Sequence, residues 1–209
     1  MNTEDPDYRH IEKTYNEGSN DYSGHFAKPH DYIEPERRQF IERLPAGSKV
    51  LDCGCGPGMD TERFSELGYD ITSIDLSDSF VELTKKRVPC ARVLKMDMRY
   101  LEFPAASFDG VWSSFSLLHI RAADVRRTFS GFKHVLRPGG IFFMALHRGP
   151  KTAWVKRRVA GMERDTFLQE WLQSEIEAVV QESGFKINVS RPFERIGGRY
   201  PLLSILAHT

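Results

Sequence analysis

Cysteine is scarce in this chain, with only Cys53, Cys55 and Cys90 among 209 residues. An odd, sparse set builds no disulfide framework, and a C-x-C pair with no nearby Cys or His is a poor zinc site. All three are expected to be small buried thiols of a reducing cytosol. Excess charge is also missing, because 29 basic and 29 acidic residues cancel. A neutral chain lacks the positive field of a nucleic-acid binder, so nucleic acid is not the expected partner. No apolar run approaches the ~18–20 residues needed to cross a bilayer. The first residues, MNTEDPDYRHIEK, are polar and acidic and do not read as a secretory signal, so a cytoplasmic protein is expected.

What is present is an alternation of strand-like and helix-like segments from about residue 49 to 147. Lys49–Cys53 is an apolar run ending in a glycine-rich turn, followed by a helical pattern from Met59 to Leu67 that Gly68 closes. A second strand lies in Tyr69–Asp75, Ser77 caps a helix reaching Arg87, and Pro89 stops it. Ala91–Lys95 and Phe108–Trp112 read as strands, Asp124–Leu136 as a helix, and Arg137-Pro138-Gly139-Gly140 as a turn. Ile141–Leu146 is a continuous apolar strand, as expected for one buried on both faces. The alternation predicts an α/β fold: a doubly wound, Rossmann-like, mostly parallel seven-stranded sheet with an antiparallel last strand and helices on both faces.

A single domain over 1–209 is expected. Residues 1–48 read as a helical cap, with helices near Tyr8–Glu17 and Tyr32–Leu44 joined by a turn at Gly18-Ser19-Asn20. The ligand-binding core would span 49–147. Residues 148–173 contain Lys151, Trp154, Lys156, Arg157, Arg158 and Arg164, and read either as a substrate lid or as one solvated helix face. The remainder, 174–209, reads as a helix over Ser174–Ser183 and an antiparallel β pair.

Val50-Leu51-Asp52-Cys53-Gly54-Cys55-Gly56-Pro57-Gly58 carries the most chemistry. Glycines let a strand turn sharply into a helix while its backbone approaches a ligand, and ligands bind outside these strand ends in doubly wound sheets. The dinucleotide fingerprint wants a small residue at position 59, where Met59 stands; the third glycine is Gly58. Asp52 adds an acid that would repel a pyrophosphate and tolerate an ammonium or sulfonium. The segment resembles motif I of the class I S-adenosylmethionine (SAM)-dependent methyltransferases, and further segments match in order. Asp75 resembles the acid that accepts both ribose hydroxyls, with Leu76 beside it, and Met96-Asp97-Met98 resembles the adenine site. Phe108–Trp112 resembles motif IV, and Val135–Gly140 the segment before the fifth strand. The alternatives remain that Asp75 caps a helix and that Asp97 is a solvated turn residue.

The resemblance implies SAM as cofactor and extends to the mouth of the crevice. Ser114 and Phe115 would flank the donor's methionine portion, and Tyr15 and Tyr22 resemble paired tyrosines on a closing segment, where aromatic faces favour a sulfonium. The alternative is that these tyrosines staple the segment to the domain. His119 is the candidate general base, or a tie between its loop and a neighbour; His147 is a candidate acceptor-side residue. No Asn/Asp-Pro-Pro-Tyr/Phe follows the fourth strand, which disfavours nucleobase and glutamine amino methylation, and nothing suggests a magnesium, zinc or iron–sulfur site. The implied activity is metal-independent methyl transfer to an O, N or C atom of a small-molecule acceptor, in secondary metabolism, by a monomer or homodimer. Alternatives are a methyltransferase acting on protein or RNA, a non-catalytic SAM-binding protein, and a nicotinamide enzyme.

Overall fold

Short runs rich in apolar residues become five parallel strands: β1 Lys49–Cys53, β2 Asp70–Asp75, β3 Arg92–Lys95, β4 Phe108–Ser114 and β5 Leu136–His147. The structure, a computed structural model, describes residues 8–25, 33–159, 162–194 and 201–209. Helices α1 Tyr8–His25 and α2 Glu34–Ile41 precede the strands. Helix α3 Met59–Glu66 follows β1, α4 Asp78–Arg87 follows β2, and α5 Ala122–Val135 precedes β5. A hairpin, β6 Thr152–Val159 and β7 Met162–Gln169, then leads to α6 Gln173–Glu182, β8 Lys186–Phe193 and β9 Leu202–His208.

The main sheet runs β3-β2-β1-β4-β5-β9-β8, with β9 antiparallel to both β5 and β8. Strand order therefore reverses between β1 and β4, which opens a crevice at their carboxyl ends. Period-two alternation divides the core into two layers. Val50, Trp112 and Phe143 face Phe40 and Phe64, whereas Leu51, Val111 and Phe142 face Phe129 and Phe132. Trp112 stacks on Phe143 at 3.9 Å between ring centroids, with Phe40 edge-on at 5.2 Å. A fully buried Trp removes about 150–250 Å² from water, worth roughly 4–6 kcal/mol.

Four local expectations are corrected. Gly18-Ser19-Asn20 is not a turn but lies inside α1; Ser19 is buried and its hydroxyl donates to the Asn16 carbonyl, so contacts override weak helix propensity. The basic stretch after β5 is a β-hairpin and not a helix face. Strand β5 begins at Leu136, pairing with Phe108 before a register shift, so Arg137–Gly140 is an irregularity within the strand and not a turn before it. Cys53 and Cys55 are buried, but Cys90 is exposed at the end of the α4–β3 connection.

Candidate active site

Where β1, β2 and β4 end, a cavity of about 170 Å³ opens beneath α1. Its floor is the turn after β1. Gly54, Gly56 and Gly58 all have left-handed backbones, with φ of 78°, 53° and 84°. A Cβ on Gly54 would stand 2.3 Å from the Ser116 Cβ, so this glycine lets the β1 and β4 loops pass. At Gly56 a Cβ would meet nothing within 4 Å, because the residue borders the cavity. Gly58 does not line the cavity; a Cβ there would meet Thr84 of α4 at 2.8 Å, so its smallness serves helix packing.

Asp75 ends β2 at the cavity wall. The Gly56 and Ser77 amides donate to its two oxygens at 2.9 Å, which fixes the carboxylate in place. Burial lifts its pKa to about 6, against the lowering effect of the Ser77, Gly56 and Leu76 amides. Leu76 lines the same wall. Ser77 is the N-cap of α4, as expected, with its hydroxyl accepting from the Phe80 amide. Met96, Asp97 and Met98 form the next wall. The Asp97 carboxylate is held by Arg99, whose Nε lies 3.0 Å from both oxygens. It is thus an ion-paired residue at the cavity edge, not a solvated one. Arg99 in turn stacks on the Tyr8 ring at 3.3 Å, and the Tyr8 hydroxyl donates to Asp124 at 2.7 Å.

Asp52 is buried on β1 and accepts a 2.8 Å hydrogen bond from the Thr61 hydroxyl. Burial pushes its pKa well above the usual carboxylate range; Asp60 and Asp75 push the same way, and Thr61 and Arg37 oppose. Asp60, absent from the expectations above, lines the cavity too. Among the described residues lining the cavity there is no Lys or Arg. A pyrophosphate would meet the carboxylates of Glu12, Asp52, Asp60, Asp75 and Asp97 with no Lys or Arg in the lining to receive it. A cationic, diol-bearing ligand meets the donors and acceptors it needs. SAM, with its ribose, ammonium and sulfonium, fits this set.

Helix α1 roofs the cavity with Tyr8, Ile11, Glu12 and Tyr15, a helical-face spacing in which only Tyr15 was anticipated. The Tyr15 hydroxyl lies 2.7 Å from His119 Nε2, and His119 Nδ1 lies 2.8 Å from the Phe167 carbonyl. A carbonyl only accepts, so Nδ1 carries the proton and, in the neutral ring, Nε2 accepts from Tyr15. His119 thereby joins α1, the 3₁₀ turn Leu117–His119 and β7 at the cavity wall. Ser114 and Phe115 also line the cavity; Phe115 takes a left-handed φ of 54°, and its amide donates to the Ala145 carbonyl. His147 is buried and outside the cavity lining, 6.3 Å from the Phe115 ring. Tyr22 falls on α1, but its side chain lies outside the described residues.

Fold and site together define a doubly wound domain with an acid-lined nucleoside crevice. Residues 50–140 match the family described as a methyltransferase domain. The chain is 36% identical over 107 residues to a SAM-dependent Diels-Alderase of Talaromyces variabilis, a match covering 47% of this chain and 36% of that protein. It is 33% identical over 140 residues to a ubiquinone biosynthesis O-methyltransferase of Nitrosococcus oceani, covering 63% and 58% of the two chains. The chain thus spans between about a third and three-fifths of the length of these curated relatives. In fold it is similar to the Burkholderia thailandensis 1,6-didemethyltoxoflavin-N1-methyltransferase, with TM-score 0.78, 18% identity, and 97% and 88% of the chains covered. Over residues 50–140 the chain is thus similar to SAM-dependent methyltransferases, and its fold is that of the solved methyltransferase.

Proposed function

We propose that this chain transfers the methyl group of SAM to an O, N or C atom of a small-molecule acceptor, without a metal, as a cytoplasmic enzyme of secondary metabolism. The observation that carries the reading is the acid-lined, cation-free crevice beside a turn that borders open space at Gly56. When bound, SAM supplies a methyl group already activated by the positive sulfur. What remains for the protein is to hold, orient and exclude water, and orientation alone contributes roughly 7–11 kcal/mol. Asp75 would hold the ribose, Asp52 the cationic amino-acid end, and Met96, Asp97 and Met98 the adenine. Tyr15, Ile11 and Tyr8 close the roof.

Proton removal falls to the Tyr15–His119 couple at the wall. A proton reaching the Tyr15 oxygen displaces the tyrosine's own proton to His119 Nε2, and the Phe167 carbonyl stabilises the resulting imidazolium at Nδ1. Such a base contributes about 10²–10⁴-fold for an acceptor that must lose a proton. The inward-turned Trp154 of the hairpin, edge-on to His10 at 5.1 Å, favours a lid over an exposed platform for protein or RNA.

Calorimetry with SAM and with NAD, followed by an acceptor screen for release of S-adenosylhomocysteine, tests the proposal. Tight NAD binding would overturn it. His119→Ala is expected to lower turnover with donor affinity largely kept, whereas equal rates would assign the imidazole to structure. A second reading, SAM-dependent cyclisation without methyl loss, draws on the relative named as a Diels-Alderase, and on His119, whose two nitrogens already have partners. Acceptor consumption without S-adenosylhomocysteine release would select it.

A further inference from the structure

Helix α2 reaches the cavity by an unexpected route. Arg37 is buried to 2% exposure, and its guanidinium binds Glu34 through Nη1 and the Asp60 Oδ1 through Nη2. The other Asp60 oxygen accepts the Trp112 indole N–H at 2.8 Å. Both oxygens of Asp60 are therefore anchored from the α2 and β4 side, while the residue borders the cavity with its side chain 19% exposed. Asp52 stands on the same sheet face as Val50, below the same helix, bonded to the neighbouring Thr61.

We infer that Asp60 is a second acid for the ligand's ammonium, paired with Asp52, and that Arg37 is the positioning residue that fixes the orientation of the Asp60 carboxylate. This rests on the reading of the cavity as a SAM site. A buried guanidinium must be paired, and Arg37 is paired by Glu34 and Asp60, while Arg38 and Arg63 reach Glu34 from the more exposed side at 3.7 and 3.8 Å. The groups facing Asp52 are Asp60 and Thr61 on α3, Asp75 at the end of β2, Arg37 on α2, and the Cys53 and Cys55 thiols, which burial keeps neutral. Asp52 is buried, Asp60 and Asp75 face it, and only Thr61 and Arg37 oppose them, so without ligand the site favours the protonated carboxyl. An arriving ammonium takes the place of that proton, which leaves to solvent. Atoms and charge balance: one cation is bound and one proton released.

The test is calorimetry near pH 7, above the Asp75 transition, in buffers of different ionisation enthalpy. Three ligands are used: SAM, S-adenosylhomocysteine, and methylthioadenosine, which keeps the nucleoside but has no amino-acid end. SAM and S-adenosylhomocysteine are expected to release protons on binding, and methylthioadenosine none. Asp60→Asn should weaken the first two about tenfold or more, the cost of a charge-assisted hydrogen bond, and leave methylthioadenosine within about twofold. Arg37→Lys keeps the charge but loses the fork, and should shift the same two ligands in the same direction. Equal weakening of all three ligands by Asp60→Asn, or none, overturns the assignment. Proton release with methylthioadenosine as large as with SAM overturns it too. If the unaltered protein binds neither SAM nor methylthioadenosine, the cavity reading itself fails, an outcome distinct from both.

Discussion

A carboxylate meets a ribose diol with two acceptors only while ionised, and burial lifts Asp75 to about 6 in the ligand-free protein. Below that pH the free protein carries a proton that must leave before the diol binds. Affinity for methylthioadenosine, which has the diol but no ammonium, is therefore expected to rise as pH climbs toward about 6 and to flatten above, falling about tenfold per pH unit below the transition. Titration calorimetry across this range checks it; affinity independent of pH between 5 and 7 would remove Asp75 from the ribose role. Asp75→Ala should weaken donor binding at least tenfold at neutral pH. At this scale Asp52, Asp75 and Asp97, picked out because their segments resemble family motifs, all line the cavity. Asp60 was hidden: an acid in the first turn of α3 reads as a helix-dipole partner. Its meaning depends on Arg37, 23 residues away. The Asp97–Arg99 pair was equally hidden, since spacing cannot tell an ion pair from a ligand contact.

Elements were legible wherever period and punctuation agreed. Strands β1 to β4 fell within a few residues of expectation because short apolar runs stood between helical patterns, with Gly54 closing β1, and Ser77 and Pro89 bounded α4. The hairpin after β5 was not legible. Its alternation sets Trp154 and Phe167 against Ala153 and Leu168, but the basic residues Lys156, Arg157 and Arg158 break the apolar period. Its burial comes from α1 and the 3₁₀ turn, which are remote in sequence. The glycine turn was legible as a motif while its three glycines do different work. Gly54→Ala combines a left-handed φ with a 2.3 Å overlap on Ser116, and is expected to cost about 2 kcal/mol or more. A melting temperature lower by several degrees, with donor affinity also reduced, checks this; an unchanged melting curve would refute the close approach. By contrast Gly56→Ala meets no neighbouring protein atom and should lose donor affinity with the smaller stability penalty.

Across the whole molecule the roof, the hairpin and the core share one set of hydrogen bonds. Asn16 of α1 accepts from the Ser77 hydroxyl at 2.6 Å and from the Ser79 amide at 3.2 Å, docking the roof on the amino end of α4. The Thr14 hydroxyl donates to the Asp165 carbonyl of β7, and the Ala122 amide of α5 donates to Gln169. Through Tyr15 and His119 the same α1 face touches both cavity and hairpin. A ligand that fills the cavity supports α1 from below, and α1 supports β7. Local opening of either element must break bonds to the other, so the two should open as one unit. Hydrogen exchange should then show SAM slowing the amides of Tyr8–Asn16 and of 165–169 together, with little change in β8. Asn16→Ala removes the dock at Ser77, at an expected cost of about 1 kcal/mol. It should speed donor dissociation and uncouple the roof without melting the sheet. Protection confined to the β1 turn and Asp75, with the hairpin exchanging as it does without ligand, would mean that the roof closes independently of the lid. In that case the Tyr15–His119 contact would be a packing detail and not the link between donor binding and the acceptor's entrance.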